Sequence, residues 1–268
     1  MARGAYCFSF INSNIFAAME LSSTRKTEIV FGIHPVIEAI KSGKEIDKIV
    51  LQNGVKSPQM ADLHQLIKTA NIPFQYVPLE RINRITFKNH QGVVAIMSPV
   101  VYHKLENVLP DIYERGETPL LVILDGITDV GNMGAIVRTA ECAGVHAIII
   151  PDKGSAQINS HSIKASAGAM FKIPICRTSS LKEVVQLLRN SGLQVVACTE
   201  KTKDSYTTVD YTLPTAFVMG SEETGISNDI LRNADKLVAI PLAGEISSLN
   251  VSVSAGVVLY EAVRQRGK

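Results

Sequence analysis

The chain has 268 residues, which at roughly 150 residues per domain points to two domains. Its 46% hydrophobic and 19% charged residues, with 18 Gly and 11 Pro, exclude collagen-like, coiled-coil and disordered classes. The net charge of +2 is uninformative as a total, but residues 1–115 carry 13 basic against 10 acidic side chains and residues 116–268 carry 14 against 15. The basic excess sits in the N-terminal half, where it hints at a polyanion-facing module.

Apolar runs such as Leu120–Leu124 fall far short of the roughly 20 residues a membrane-spanning helix needs, so a soluble protein is expected. Cys7, Cys142, Cys176 and Cys198 show no CxxC spacing and mostly fall in apolar segments. That predicts buried thiols in a reducing, cytoplasmic setting rather than disulfides or a zinc site. His64, His103, His146 and His161 have no ligand spacing either, so no metal is expected.

Residues 1–27 are apolar but broken by Ser and Asn, without the clean run of a secretory signal, and read as an unstructured leader. From Glu28 the pattern becomes regular. Ile33, Val36, Ile37 and Ile40 recur at helical spacing and stop at Ser42-Gly43. Strands are expected at Ile46–Leu51, Phe74–Val77 and Gly92–Met97. A helix capped by Ser57 carries Met60, Leu63, Leu66 and Ile67, and a short helix spans Leu79–Ile85. Residues 28–98 thus form a small alternating α/β unit. Pro99, Pro110, Gly116 and Pro119 mark 99–118 as a linker around one short amphipathic stretch.

Residues 119–268 alternate more strongly. Near-continuous apolar runs at Leu120–Leu124, Ala147–Ile150, Gln194–Cys198, Ala216–Met219 and Leu237–Ile240 predict strands buried on both faces. Helices are expected at Met133–Ala143, Leu181–Asn190, Asp229–Ala234 and Val251–Arg264. This is the pattern of an α/β domain with a parallel sheet, in which ligands bind at the carboxyl ends of strands.

Three segments follow such strand ends. In Leu124–Ala140 a strand runs through a turn containing Gly126 and Gly131 into a helix, with Asn132 near its start and Arg138 six residues on. Such a turn aims backbone N–H groups at an anion, although Asn132 could equally be a plain cap and Arg138 a solvated charge. The spacing is not GxGxxG, so no dinucleotide fingerprint is present, which counts against a nucleotide oxidoreductase. In Phe217–Ser227 a strand ends at Gly220 and is followed by Glu222 and Glu223. In Ile240–Gly256 a small, polar loop leads into the last helix. Ser248 or Asn250 could cap that helix, and Ser252, Ser254, Ala255 and Gly256 make its first two turns slim enough for close approach to a ligand or another subunit.

Together these segments resemble the three signature motifs of the SpoU (TrmH) family of RNA ribose 2'-O-methyltransferases, within the SPOUT superfamily. Asn132, Gly134 and Arg138–Ala140 look like its Asn-x-Gly-x-x-x-Arg-Thr-Ala motif; Gly220-Ser221-Glu222 is similar to its Gly-Ser-Glu motif; Ser248–Val253 matches the last. Glu223 stands where the family usually has glycine. Phe31–Val36 and His90–Ala95 look like the start and end of the family's ribosomal-protein-like RNA-binding domain, and the bacterial 23S rRNA guanosine branch is the nearest likeness.

The resemblance implies S-adenosylmethionine as cofactor, bound mainly through backbone groups at Gly220, Ile240 and Leu249, with Thr199 as a further contact. It implies a C-terminal trefoil knot, against the general rule that chains do not knot, and a homodimer. It places Arg138 beside the ribose hydroxyl, with Asn132, Glu222, Ser248 and Asn250 orienting Arg138 and the ribose. Arg81, Arg84 and Lys88, with His90, offer either a phosphate-binding edge or simply a solvated helix face, while His34 reads as a structural histidine at a helix start. Methylation of a guanosine in 23S rRNA is the expected activity. A tRNA substrate, or an RNA-binding ribosome-assembly factor without catalysis, is the alternative.

Overall fold

The computed structural model describes residues 28–246 and 248–267; the expected leader lies outside the described residues. In chain order the elements are β1 (Ile29–Phe31), α1 (Ile33–Lys41), β2 (Ile46–Gln52), α2 (Pro58–Thr69), β3 (Phe74–Val77), α3 (Leu79–Asn83), β4 (Val93–Met97), β5 (Tyr102–His103), α4 (Leu105–Glu114), β6 (Leu120–Asp125), α5 (Val130–Cys142), β7 (Ala147–Pro151), α6 (Ser160–Ala165), β8 (Ile175–Thr178), α7 (Leu181–Asn190), β9 (Gln194–Cys198), β10 (Thr215–Gly220), α8 (Asn228–Asn233), β11 (Lys236–Val238) and α9 (Val251–Gln265). None of these helices is long and apolar enough to cross a membrane.

The first four strands form a mixed sheet in the order β1-β4-β2-β3. Helices α1 and α2 cover one face, burying Val36, Leu63 and Ile67 against Ile49 and Leu51. Ser57 caps α2 by accepting from the Met60 amide at 3.1 Å, as its position before Pro58 predicts. The sequence pattern did not announce β1, whose three residues pair antiparallel with β4.

The other seven strands form a parallel sheet in the order β11-β9-β10-β6-β7-β8-β5. Leu120 to Leu124 of β6 are at most 1% exposed, because helices lie on both faces. The even residues of β6 join the core under α5 and α9, and the odd ones join the core under α4 and α7. The 99–118 segment, expected as a linker, instead contributes β5 to this sheet and α4 to its core through Leu105, Leu109 and Ile112. Two further elements absent from the sequence reading are β8, whose apolar run is only Ile175-Cys176, and the polar helix α6, which is held by a capping box between Asn159 and Ser162.

From β6 the chain steps outward through β7 to β8, then crosses to the other side, where β10 lies directly against β6. The order reverses between β6 and β10, which makes the carboxyl ends of these two strands the switch point at which open α/β sheets bind ligands. Helix α9 returns across α5, burying Val251, Ala255, Val258, Leu259 and Ala262. Part of its slim face is therefore used within the chain: a Cβ on Gly256 would stand 3.7 Å from Thr139 Cγ2. At its end Arg266 donates to the carbonyls of Thr118, Pro119, Tyr211 and Leu213, tying the C-terminus to the start of β6.

A partly buried cluster joins the two sheets. Arg177, on β8, donates to the Asp47 carbonyl at 2.8 Å, the Asp47 carboxylate at 3.3 Å and the Ile46 carbonyl at 3.0 Å, all on β2. Its guanidinium lies 3.7 Å from the centre of the Tyr102 ring, and the Tyr102 hydroxyl donates to Asp47 at 3.0 Å. Asp152 approaches the same guanidinium at 3.7 Å. Burial raises the Asp152 carboxyl above its usual range, with Arg177 pulling the other way.

Candidate functional site

The three signature segments meet at the switch point. Helix α5 begins where Asp129 accepts a hydrogen bond from the Asn132 amide at 2.7 Å. Asp129 is therefore the cap, and Asn132, third in the helix, keeps its side chain for another use. That side chain donates to Glu222 Oε1 at 3.3 Å, just past the end of β10. Asn250, the cap of α9, donates its Nδ2 to Glu222 Oε1 at 2.6 Å and to Asn132 Oδ1 at 3.0 Å. The Val251 amide adds a third bond to Glu222, at 3.3 Å. One carboxylate oxygen thus joins segments 90 and 28 residues away.

Close packing makes this meeting possible at two glycines. A Cβ on Gly134 would stand 2.5 Å from Ala165 Cβ and 2.6 Å from the Ser162 carbonyl, so α5 and α6 touch backbone to backbone there. A Cβ on Gly220 would overlap the Gly225 carbonyl carbon and the Ile226 nitrogen, so no larger residue fits where the 221–225 turn folds back. Ser221 supports that turn by accepting from the Thr224 amide at 3.0 Å. Asp125, at the end of β6, accepts from the Ser227 amide at 2.7 Å and ties the first two loops together. Sequence reasoning passed over Asp125 and Asp129; a carboxylate at a strand end followed by another before a helix was the available signal.

Arg138 lies on the same helix but differs from its neighbours. Met133, Ile136, Val137 and Ala140 face the core, whereas Arg138 is exposed and its side chain makes no hydrogen bond or ion pair to another described residue. Ser248 is exposed and outside the Asn132–Glu222–Asn250 network, and Glu223 is likewise exposed.

Thr199, Gly220 and Ile240 follow or close three neighbouring strands, β9, β10 and β11, and so stand in a row along the carboxyl edge. Thr199 is 7% exposed and donates its backbone N–H to the Val238 carbonyl. Around this row the 240–250 loop leaves Leu242, Ile246 and Leu249 exposed at 43%, 80% and 39%. Apolar side chains beside open strand ends suit a ligand with a flat apolar ring and several polar atoms, the chemistry of an adenosyl group.

Burial pushes the Cys198 thiol, next to Thr199, up to about 12 and the Cys176 thiol likewise to about 12. Neither supplies a thiolate near neutral pH. Cys142, expected to be buried, is exposed at the last residue of α5. Among the described residues no group of three His, Cys, Asp or Glu is arranged to hold a metal ion.

In the N-terminal sheet, Arg81, Arg84 and Lys88 are all exposed. Phe87, between Arg84 and Lys88, is 92% exposed. His90 departs from the expected phosphate-binding edge. It is 8% exposed, with Nε2 3.0 Å from Asn83 Oδ1 and Nδ1 accepting from the Gly92 amide, so it shapes the loop. His34 is exposed rather than packed at the start of α1.

Comparison with known proteins agrees with this geometry. Residues 29–103 match a family described as RNA 2'-O ribose methyltransferase substrate binding. The chain is 32% identical to a Bacillus subtilis protein named as a TrmH family tRNA/rRNA methyltransferase, YacO, over 91% of this chain and 98% of that one. It is 35% identical to the 23S rRNA (guanosine-2'-O-)-methyltransferase RlmB of Photorhabdus laumondii, over 90% and 99% of the two chains. The crystal structure of the SpoU methyltransferase AviRb from Streptomyces viridochromogenes, in complex with AdoMet, superposes with a TM-score of 0.57 at 27% identity, covering 95% of this chain and 99% of that one. Residues 119–260, which carry all three converging segments, match the SpoU rRNA Methylase family, and the chain belongs to it.

Proposed function

We propose that the protein transfers a methyl group from S-adenosylmethionine to the ribose 2'-hydroxyl of a guanosine in 23S rRNA. The observation that carries this reading is the junction of Asn132, Glu222 and Asn250, with Arg138, whose side chain no other described residue engages, six residues further along the same helix. The guanosine and rRNA assignment rests on the 35% identity to an RlmB protein over nearly its whole length. Bound S-adenosylmethionine would supply the methyl group. Thr199, Gly220, Ile240 and Leu249 would hold it along the strand ends, mainly through backbone groups.

The chain's own task is to fix the ribose and ease loss of its proton. Arg138 presents a planar, five-donor fork, so its role is to bind the phosphate next to the target ribose and stabilise the developing oxyanion. The proton leaves through water or that phosphate. Asn132, Glu222 and Asn250 hold the start of α5 and the loop before α9 in register, and Ser248 contacts the ribose from that loop. Arg81, Arg84 and Lys88 grip RNA phosphates on the N-terminal unit, residues 28–98, and residues 119–268 form the methyltransferase unit with the trefoil knot. Exposed Val253 and Tyr260, seven residues apart on α9, would lie in a homodimer interface. An rRNA substrate implies a cytoplasmic location.

Tritium transfer from labelled S-adenosylmethionine to RNA, with 2'-O-methyl mapping in a strain lacking the protein, tests the reading. One guanosine of 23S rRNA should lose its methyl group; loss in a tRNA would assign the alternative substrate, and no transfer to either would refute the activity.

A further inference from the structure

We infer that the cleft between the two sheets is a pocket for an unpaired nucleotide of the RNA, distinct from the pocket where the methyl group is transferred. The inference rests on the RNA reading above. A cavity of about 430 Å³ lies between β2 and β3 on one side and the ends of β7 and β8 on the other. That volume falls in the range of small-ligand sites. The Arg177–Tyr102 stack belongs to its wall and fixes the separation of the two sheets.

The lining has the chemistry of a nucleotide site. Both carboxylates at the cleft, Asp47 and Asp152, already face Arg177. Lys48 and Lys153 form no ion pair with a described residue, although the Lys153 charge acts on Asp152; with Arg177 they outnumber the two carboxylates by one, so the lining is net positive and suits a phosphate. The Ser155 hydroxyl is buried with no hydrogen-bond partner, a state that a ligand's polar edge would relieve. Gln75 and Gln157 offer amide donor–acceptor pairs of the kind that read base edges, and the half-buried Phe74 offers a ring.

The position fits the same substrate. The loop carrying Lys153, Ser155 and Gln157 is tied to the first signature loop by the Ala156 amide donating to the Ile127 carbonyl at 2.7 Å. Strand β7 is the immediate neighbour of β6, so the cleft and the Asn132–Glu222–Asn250 junction share one edge of the sheet. An RNA strand lying along that edge would place one nucleotide in the cleft and a nearby ribose at the junction.

The test is photo-crosslinking with RNA extracted from cells fed 4-thiouridine, which carries rRNA and tRNA alike, followed by peptide mapping. Wild-type protein is expected to crosslink within residues 73–76 or 151–157. The Lys153→Ala/Gln157→Ala variant changes two exposed side chains. It should lower that crosslink at least fivefold and raise the KM for RNA about fivefold. Its rate at saturating RNA and its calorimetric affinity for S-adenosylmethionine should stay within twofold of wild type. Absence of crosslinks from both peptides, or an unchanged KM, overturns the pocket. Crosslinks in the cleft without any tritium transfer by wild-type protein would leave the pocket standing and refute the methyltransferase reading instead.

Discussion

Arg177 and Arg138 both belong to the parallel-sheet unit, one on a strand and one on the helix that follows the neighbouring signature loop, and their surroundings are opposite. Arg177 is about one-seventh exposed and spends its guanidinium on Asp47, Ile46, Asp152 and the face of Tyr102. Arg138 is exposed and spends nothing on any described residue. A charge engaged from every side holds the structure together, whereas a charge held on a rigid helix without a partner is available to a ligand. The difference separates an arginine spent on structure from one left available, without appeal to the sequence motif.

The largest expected effect follows from the free arginine. Arg138→Lys keeps the charge but loses the planar fork, and single-turnover methyl transfer should fall about 10³-fold, roughly 4 kcal/mol, with the melting temperature unchanged. Near-normal transfer would show that a point charge suffices. The engaged arginine should behave the other way. Arg177→Ala leaves Asp47 and Asp152 partly buried without their cation and should cost about 3 kcal/mol in urea unfolding. Its loss of activity should follow the loss of stability or RNA affinity rather than the chemical step.

A smaller effect is expected where the frame of Arg138 is built. Gly134→Ala drives a methyl group into Ala165 and the Ser162 carbonyl and should cost about 2 kcal/mol. The smallest concerns the far end of α9. Hydrogen bonds from Arg264 and Gln265 hold the Glu261 carboxyl at about 2, below its ordinary 4.5. The stability it contributes is complete above about pH 4.5 and is lost as pH falls through about 2. The melting-temperature gap between wild type and Glu261→Gln should therefore be full at pH 7 and shrink between pH 4.5 and 3.

Much of this architecture was legible in the sequence because the parallel strands are buried on both faces. Leu120–Leu124 and Ala216–Met219 read as unbroken apolar runs, and both lie within strands. The small unit was legible for a related reason: Ser57 before Pro58 marks a helix start that the structure keeps. What stayed hidden depends on distant partners. Strand β8 carries Arg177 in its middle, a residue that argues against a core strand until Asp47, some 130 residues away, is beside it. Helix α4 contains Pro110 and looked like a linker, yet it follows a two-residue strand that only pairing with β8 reveals.

At the site the same division holds. The motifs pointed to Asn132, Glu222 and Asn250, but their shared hydrogen bonds depend on how the strand order reverses between β6 and β10. That Asp129 rather than Asn132 caps α5 is a local choice between two good caps three residues apart, and composition does not decide it. His90 read as a cation at an RNA-facing edge because its neighbours are basic; its burial against Asn83 and Gly92 is set by the fold of the loop.

The account turns on three remote segments building one cavity for the methyl donor, and a crystal structure of the protein with S-adenosylhomocysteine tests this most directly. The account predicts the adenosyl group against Thr199, Gly220, Ile240 and Leu249, with its sulfur turned toward the Asn132–Glu222–Asn250 junction. Density for the nucleoside anywhere else, including the cleft beside Arg177, would contradict it.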